Sequence, residues 1–173
     1  MLVISNTSPL LYLHRTGYLS LLPGLYGEVV IPPAVLSELR AGGSRGIDVP
    51  DPSDHAWLRV IPLQSRQLLP IVTDLGEGES EAIGLALEHP GSRLILDDQL
   101  ARRIARLSRL SFTGTLGVVL KAKAAGLLPS VGPVLQDLRS AGLWLDDELV
   151  SAVLAQACET AEGAVTQPPH RMR

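Results

Sequence analysis

The acidic residues that could do chemistry in this sequence stand at the ends of predicted elements. Residues 93–96 form a short apolar run that predicts a buried parallel strand, and Asp97 and Asp98 follow it directly. Open α/β sheets hold their ligands just beyond the carboxyl ends of such strands. This pair therefore lies where such a sheet would place a site.

The segment before this strand predicts an amphipathic helix with acids in its first two turns. Asp74 followed by Glu77 has the spacing of a capping box, and an apolar helical pattern comes after it. Glu77 and Glu81 stand four residues apart on one face, where like charges repel unless a cation or a basic side chain lies between them. This spacing is a reason to predict a metal site.

Each of these acids also has a purely structural interpretation. Glu77 is a candidate capping-box partner, and Glu79 is a candidate solvated residue that suits the helix dipole. Asp97 or Asp98 is a candidate N-cap of the next helix. The chemical interpretation therefore depends on several acids converging at one place.

The first strand supplies a polar residue for the same sheet edge. Residues 2–5 predict a buried strand that ends at Asn6, and Ser8-Pro9 predicts the N-cap and first turn of a helix that runs to about Arg15. Asn6 thereby falls at the carboxyl end of a strand.

A second strand at residues 29–31 leads into Pro32-Pro33 and a predicted helix through about residue 39. Glu38 lies late on this helix, and taken alone it is typical of a surface residue paired with a neighbouring arginine. Residues 41–53 predict a surface loop, because glycine, proline and aspartate are frequent there. A third strand is predicted over residues 57–61.

After Asp98, residues 99–109 predict a helix whose apolar positions include Leu107. Arg102, Arg106 and Arg109 share another face of this helix. Such a basic stripe is usually a solvated face, and the alternative is that it follows a phosphate backbone or meets an acidic partner.

Residues 111–113 predict the next strand, followed by a turn at Gly114-Thr115 and a helix. Backbone N–H groups at a helix N-terminus, such as that of Thr115, can bind phosphate, although the spacing is not that of a P-loop. Two more helices are predicted at residues 131–140 and 146–158, with Trp144 between them as a core anchor. Cys158 is predicted to be a small apolar residue of the last helix.

Length and composition limit the class of protein. A chain of 173 residues that is 46% hydrophobic is suited to one domain, which we predict at residues 1–158, with a disordered tail at 159–173. No apolar run is long enough to span a bilayer, so we expect a soluble cytoplasmic protein without a membrane partner. The net charge of −3 argues against a nonspecific polyanion binder, but a cluster of metal-binding acids would itself lower the total charge.

Strands that alternate with helices predict an α/β fold with a mostly parallel sheet and helices on both faces. Asn6, Asp97 and Asp98 then fall at one edge of the sheet. Glu38 and Glu81, from flanking helices, could point into the same crevice.

The sequence resembles the PIN-domain family over about residues 2–149. The motifs that carry the resemblance are ISNTSPLLYL at the start, IPPAVLSEL at 31–39, LGEGESEAIGLALE, LILDDQLAR and TGTLGVVLKAKAAGLL at 113–128. The closest likeness is to the predicted nucleic-acid-binding branch, which is similar to toxin ribonucleases of toxin–antitoxin pairs. The resemblance implies a three-layer α/β/α sandwich and an acidic pocket that binds Mg²⁺ or Mn²⁺ to hydrolyse RNA.

The family's four acidic positions match Asn6, Glu38, Glu81 and Asp98, which the resemblance implies to be catalytic. Glu79 and Glu77 are alternative registers for the third position, and Asp97 is the alternative for the fourth. The metal ligands implied are drawn from the same cluster, namely Asn6, Glu81, Asp97 and Asp98. Candidate substrate-binding residues are Thr7, Ser8, Arg102, Arg106 and Thr115.

Asn6 departs from the family pattern, because an amide cannot act as a general base and removes one negative charge. Two functions from different classes follow. One is a metal-dependent ribonuclease, with an antitoxin partner and a homodimeric state implied by the resemblance. The other is a module that binds RNA or a protein without cutting. A third interpretation, a phosphotransferase or phosphatase, would want a nucleophilic aspartate in place of Asn6.

Overall fold

The computed structural model describes residues 1–70, 72 and 74–159. Its strands are β1 (Val3–Ser5), β2 (Val29–Ile31), β3 (Leu58–Val60), β4 (Arg93–Ile95) and β5 (Ser111–Thr113). Its α-helices are α1 (Thr7–Arg15), α2 (Leu21–Tyr26), α3 (Pro33–Ser44), α4 (Glu77–Glu88), α5 (Gln99–Leu107), α6 (Thr115–Ala124), α7 (Gly132–Ser140) and α8 (Asp147–Gln156). Short 3₁₀ turns lie at Pro52–Asp54 and Arg66–Leu68.

The five strands form one parallel sheet in the order β3-β2-β1-β4-β5. The chain runs outward from β1 to β3 and then returns to the other side of β1 for β4 and β5. A reversal of this kind opens a crevice at the carboxyl ends of the two strands on either side of it. The ends of β1 and β4, which pair with each other, lie at this crevice.

Successive residues of a strand face opposite sides of a sheet, and both faces of this sheet are covered. Val3, Ile31 and Ile95 pack into one buried cluster with α1, α2, α3, α6, α7 and α8. Ile4, Val30 and Leu94 pack into a second cluster with α4 and α5. The predicted three-layer α/β/α sandwich is confirmed.

Two predicted helix starts are each wrong by two residues. The first helix begins at Thr7 with Asn6 as its N-cap residue, not at a cap formed by Ser8. Pro9 is tolerated at the third helical position because the first four N–H groups of a helix have no intrahelical partner. The capping box at Asp74 is also wrong, because α4 begins at Glu77 and no side chain caps its N-cap residue Gly76.

The helix after β2 is longer than predicted, and α2 was not predicted. Residues 41–44, which were assigned to a loop, continue α3 to Ser44. A Cβ built on Gly42 or Gly43 would lie 3.2 or 3.3 Å from the Val49 side chain. The returning chain therefore packs tightly on this glycine turn, and the composition that suggested a loop reflects close packing.

The ends of α5 and α8 also differ from the predictions. The α5 helix ends at Leu107, which is 75% exposed rather than apolar core, and Arg109 has a positive φ of 57° beyond the helix. Cys158 lies after the end of α8, is exposed and has a φ of 58°. Both residues take the left-handed conformation that is common just after a helix.

Trp144 is 77% exposed, so the predicted core anchor is wrong. The apolar residue that is buried between α7 and α8 is Leu145. Of the tail predicted at 159–173, residues 160–173 lie outside the described part of the chain, while Glu159 accepts hydrogen bonds from Val131 N and Gly132 N. The proposed division of the chain at residue 158 stays a prediction.

This packing predicts a large difference between two truncations. Leu94→Ala, on the fully buried face of β4, should cost about 2–5 kcal/mol of unfolding free energy, because it leaves a cavity between two layers. Trp144→Ala should change it by less than about 0.5 kcal/mol, as for other exposed side chains. Urea unfolding of both variants beside the wild type measures the difference, and a cost for Trp144→Ala as large as that for Leu94→Ala would contradict the packing described.

Candidate active site at the carboxyl edge of the sheet

Asn6 is fully buried where β1 ends. Its side-chain Nδ2 donates a hydrogen bond of 2.9 Å to Oε1 of Glu79 in the first turn of α4. Its Oδ1 has no hydrogen-bond partner among the described residues. An unpaired buried acceptor costs about 1–3 kcal/mol, so a native protein that retains one often does so at a functional site.

The next residue, Thr7, meets the second carboxylate. Its hydroxyl donates to Oε2 of Glu38, and the backbone N–H of Gly78 donates to Oε1 of the same carboxylate at 2.9 Å. A Cβ built on Gly78 would lie 2.6 Å from Oε2 of Glu38. Only glycine leaves room for the Glu38 carboxylate to approach the backbone of α4 this closely.

Glu81 contacts a different part of the molecule. Its Oε2 accepts a hydrogen bond of 2.8 Å from the backbone N–H of Ala34, in the first turn of α3. A carboxylate at a helix N-terminus is stabilised by the unpaired N–H groups and by the helix dipole. Glu81 therefore stabilises the start of α3, while Glu79 rather than Glu81 reaches Asn6.

Asp97 is held by the start of α6. Its Oδ1 accepts a 2.8 Å hydrogen bond from the Thr115 backbone N–H, and its Oδ2 accepts a 2.5 Å bond from the Thr115 hydroxyl. Burial raises the pKa of the Asp97 carboxyl, and the two bonds from Thr115 and the charge of Arg102 offset only part of that increase. Asp97 thus fixes Thr115, whose N–H was predicted to face a phosphate.

Asp98 has the structural role that was left open for it. It is the exposed N-cap of α5, and its Oδ1 accepts a 2.7 Å hydrogen bond from Ala101 N. Glu77 is exposed at the first position of α4, and Ser8 is partly buried in the first turn of α1. The catalytic, metal and substrate roles of these residues stay predictions.

Among the described residues, no group of three His, Cys, Asp or Glu side chains lies close enough together to hold a metal ion. The donors at the end of β1 are instead two carboxylates, Glu38 and Glu79, and the unpaired Oδ1 of Asn6. Mg²⁺ keeps several waters and is often bound by only one or two carboxylates together with substrate phosphates. The oxygen atoms of these three side chains are of the chemical type that a divalent cation prefers.

Arg102 and Arg106, the remaining predicted substrate-binding residues, lie over one aromatic ring. The guanidinium carbon of Arg102 is 5.5 Å from the ring centroid of Phe112, and that of Arg106 is 5.6 Å from it. Both distances are within the range of cation–π contacts. The predicted basic face therefore exists for these two residues, whereas Arg109 lies beyond the helix end.

The sequence interpretation assigned the family's third acidic position to Glu81, with Glu79 and Glu77 as alternatives, and in the structure Glu79 contacts Asn6 whereas Glu81 contacts Ala34. Residues two apart on a helix are separated by about 200° around the helix axis, so Glu79 and Glu81 cannot both contact Asn6. The glycines on either side of Glu77 were the available signal. Gly76 is the N-cap residue and Gly78 admits Glu38, so the pattern Gly-x-Gly-Glu locates Glu79 one turn into the helix at the crevice.

A parallel sheet of this order, with polar residues at its switch point, defines an α/β protein with an open doubly wound sheet. The family model DUF3368, described as a PIN domain, matches residues 2–159. The chain therefore belongs to the PIN-domain family, whose members are generally metal-using nucleases. Neither the curated proteins nor the solved structures contain a match to the sequence.

No helix within the described ranges combines the length and apolar character that crossing a membrane requires.

The raised pKa of Asp97 predicts a pH dependence of stability. A carboxyl with a higher pKa in the folded than in the unfolded state contributes most below its ordinary value of 3.8, and this contribution is lost as pH rises through the folded pKa. The difference in unfolding free energy between wild type and Asp97→Asn should therefore fall from pH 3.5 toward neutrality. Urea unfolding over that range measures it, with the exposed Asp54→Asn as control. A difference that rises with pH would contradict the burial of Asp97.

Proposed function

We propose that the chain is a metal-dependent ribonuclease that hydrolyses phosphodiester bonds of cytoplasmic RNA. The observation that supports this most is the approach of two carboxylates, from α3 and α4, to the consecutive residues Asn6 and Thr7. The Oδ1 of the same Asn6 amide is buried and has no hydrogen-bond partner among the described residues. In this proposal Glu38, Glu79 and Asn6 Oδ1 hold Mg²⁺ or Mn²⁺.

The chain's own residues pre-organise this site. Glu38 is fixed by the Thr7 hydroxyl and the Gly78 N–H, and Glu79 is fixed by the Asn6 amide, so both carboxylates are oriented before any ligand arrives. Such fixed charges act without the cost of reorganising water. A bound divalent cation would supply a Lewis acid for the phosphate oxygens and lower the pKa of an attacking water. Asn6 has no titratable proton, so a carboxylate must accept the proton from that water.

The biological setting in this proposal is a toxin held inactive by a small antitoxin, with a homodimeric toxin. Its support is the likeness of the ordered motifs to toxin ribonucleases, together with the family membership. A reading frame for a small protein beside the gene would be the first place to look for the antitoxin.

The first test is titration with Mn²⁺ followed by RNA cleavage on the same samples. Glu38→Gln and Glu79→Gln should each weaken Mn²⁺ binding by about tenfold or more and reduce cleavage in parallel, because each removes a charged ligand. Glu81→Gln should retain both Mn²⁺ binding and RNA cleavage, since a glutamine side-chain oxygen can still accept the hydrogen bond from Ala34 N. Glu148→Gln, on the exposed first turn of α8, is the matched control.

Absence of Mn²⁺ binding at millimolar concentration, with no cleavage, would refute the nuclease proposal. If Glu81→Gln abolished cleavage while Glu79→Gln did not, the ligand assignment would be wrong and the family register originally predicted would be right.

A second function is favoured by one specific observation. The Asn6 Nδ2 donates to Glu79, and the described residues contain no third acid at the site, so the site is stable without a cation. A PIN domain with this arrangement could bind RNA or a protein without cutting it. Weak or absent cleavage by an otherwise folded wild type would favour this function.

Asn6→Asp separates the two functions through a measurement that does not depend on activity. The substitution replaces a donor by a carboxylate next to Glu79, so the metal-free protein should lose stability through like-charge repulsion. Mn²⁺ should bind more tightly and raise the melting temperature more than in wild type, because a ligand that binds only the folded state stabilises it. Melting curves in EDTA and in Mn²⁺ measure both effects. Cleavage that appears only in Asn6→Asp would assign the wild type to the non-cutting function, whereas an unchanged response to Mn²⁺ would exclude Asn6 from the metal site.

A further inference from the structure

The α5 helix and the β5 strand carry an aromatic ring with two arginines placed over it. Arg102 and Arg106 are one helical turn apart, about 6 Å along the helix axis, and both approach the ring of Phe112. We call these three residues the arginine–phenylalanine cluster. A cation over an aromatic face keeps its charge while its planar guanidinium is held in one orientation.

The arginines of this cluster form no ion pairs, although Arg102 lies near enough to the Asp97 carboxyl for its charge to lower the pKa of that group. Neither Arg102 nor Arg106 forms an ion pair with a carboxylate among the described residues, and the same holds for Arg103 and Arg109 nearby. By contrast, Arg59 and Arg139 each pair with an acid. Four unpaired arginines within eight residues, on a chain with a net charge of −3, form a local basic surface that is free to meet an anion.

The cluster begins at the edge of the proposed active site. A Cβ built on Gly114 would lie 2.9 Å from Oδ1 of Asp97 and 3.8 Å from Nη1 of Arg102. Asp97 follows β4, which pairs with β1 just before Asn6. The arginines therefore lead from the carboxyl edge of the sheet along the outside of α5.

We propose that the arginine–phenylalanine cluster binds single-stranded nucleic acid, with the guanidiniums on successive phosphates and a base stacked on the Arg–Phe surface. This proposal rests on the proposed ribonuclease function, because the nuclease site sets the end of the cluster toward which the bound strand would run. Stacking on aromatic rings and on arginine planes is how proteins hold unpaired bases, and a duplex would offer no free base face. An acidic peptide would pair with the guanidiniums, but it has no base that could stack on the Arg–Phe surface.

The test measures binding without chemistry, by fluorescence anisotropy of a labelled 12-nucleotide uridine RNA in EDTA. The double variant Arg102→Gln/Arg106→Gln should bind about tenfold more weakly than wild type at moderate salt. The slope of log affinity against log salt concentration should become less negative by about 1.4, since each phosphate contact on a single strand contributes about 0.7. Arg45→Gln, an exposed arginine at the end of α3, is the matched control and should leave both quantities unchanged.

Phe112→Leu tests the stacking part of the proposal separately. It removes the ring but keeps an apolar side chain, so RNA affinity should fall about fivefold or more with the salt slope unchanged. Urea unfolding of each variant shows whether the fold is intact. A folded Phe112→Leu protein with wild-type affinity would overturn the stacking assignment.

Other outcomes distinguish this proposal from the ribonuclease proposal. RNA binding that depends on the arginines, in a protein that never cleaves, would sustain the binding site and refute the nuclease. Cleavage and RNA binding that are both unaffected by the arginine variants would refute the binding site and leave the nuclease intact. If an oligoglutamate peptide of equal length bound with the same dependence on the arginines while the RNA did not bind, the surface would belong to a protein partner and the proposal would be overturned.

Discussion

The hydrogen bond between the buried Asn6 amide and Glu79 is the contact on which the crevice depends. A parallel sheet that is covered on both faces leaves its polar groups at the strand ends, where they must find partners or lose the free energy of hydration. Here Nδ2 finds Glu79 and Oδ1 finds no partner among the described residues. An acid in place of Asn6 would leave two carboxylates facing each other, so the amide makes this edge stable without a cation at the expense of one ligand charge.

The neighbouring helices α3 and α4 are fixed to each other by a reciprocal exchange of carboxylates. Glu38 of α3 accepts from Gly78 N at the start of α4, and Glu81 of α4 accepts from Ala34 N at the start of α3. Each carboxylate thus satisfies one orphan N–H of the opposite helix and interacts favourably with its dipole. Because of this exchange, not every acid on these two helices serves the crevice: Glu81 stabilises the start of α3 instead. One of the pair, Glu38, also faces Thr7, so a single carboxylate serves both the helix packing and the site.

The fold was predictable because its signals are local and repeated. Short apolar runs followed by helical patterns identified every strand, and their order led to the three-layer sandwich. The errors came from tertiary contacts that no local pattern reveals. Val49 returns against Gly42 and Gly43, which turned a predicted loop into the end of α3. Trp144 was taken as core because it is large, but Leu145 beside it fills the space.

The site was predictable only at the level of the sheet edge. Asn6 and Asp97 follow strands, so their location at the carboxyl edge depends only on the strands being parallel, which the alternation of strands and helices predicts. Whether Glu79 or Glu81 reaches Asn6 depends on which face α4 turns toward the end of β1, and that is set by tertiary packing, not by a local pattern. Asp98 has the signals of an N-cap and those of a metal ligand at once, and its bond to Ala101 N shows the first of these two roles.

Net charge conceals how this molecule distributes its charges. The total of −3 argues against a polyanion ligand, yet the acids near the crevice are largely engaged in hydrogen bonds while the arginines of α5 have no acidic partners among the described residues. Electrostatic attraction at protein surfaces is set by charges within about a Debye length, roughly 8 Å at physiological salt. A nucleic acid that approaches α5 is therefore exposed mainly to unpaired guanidiniums, whatever the sum over the whole chain. Arg102 lies near Asp97, where this basic surface meets the carboxyl edge of the sheet, so in the proposed function it would position a phosphate toward the crevice.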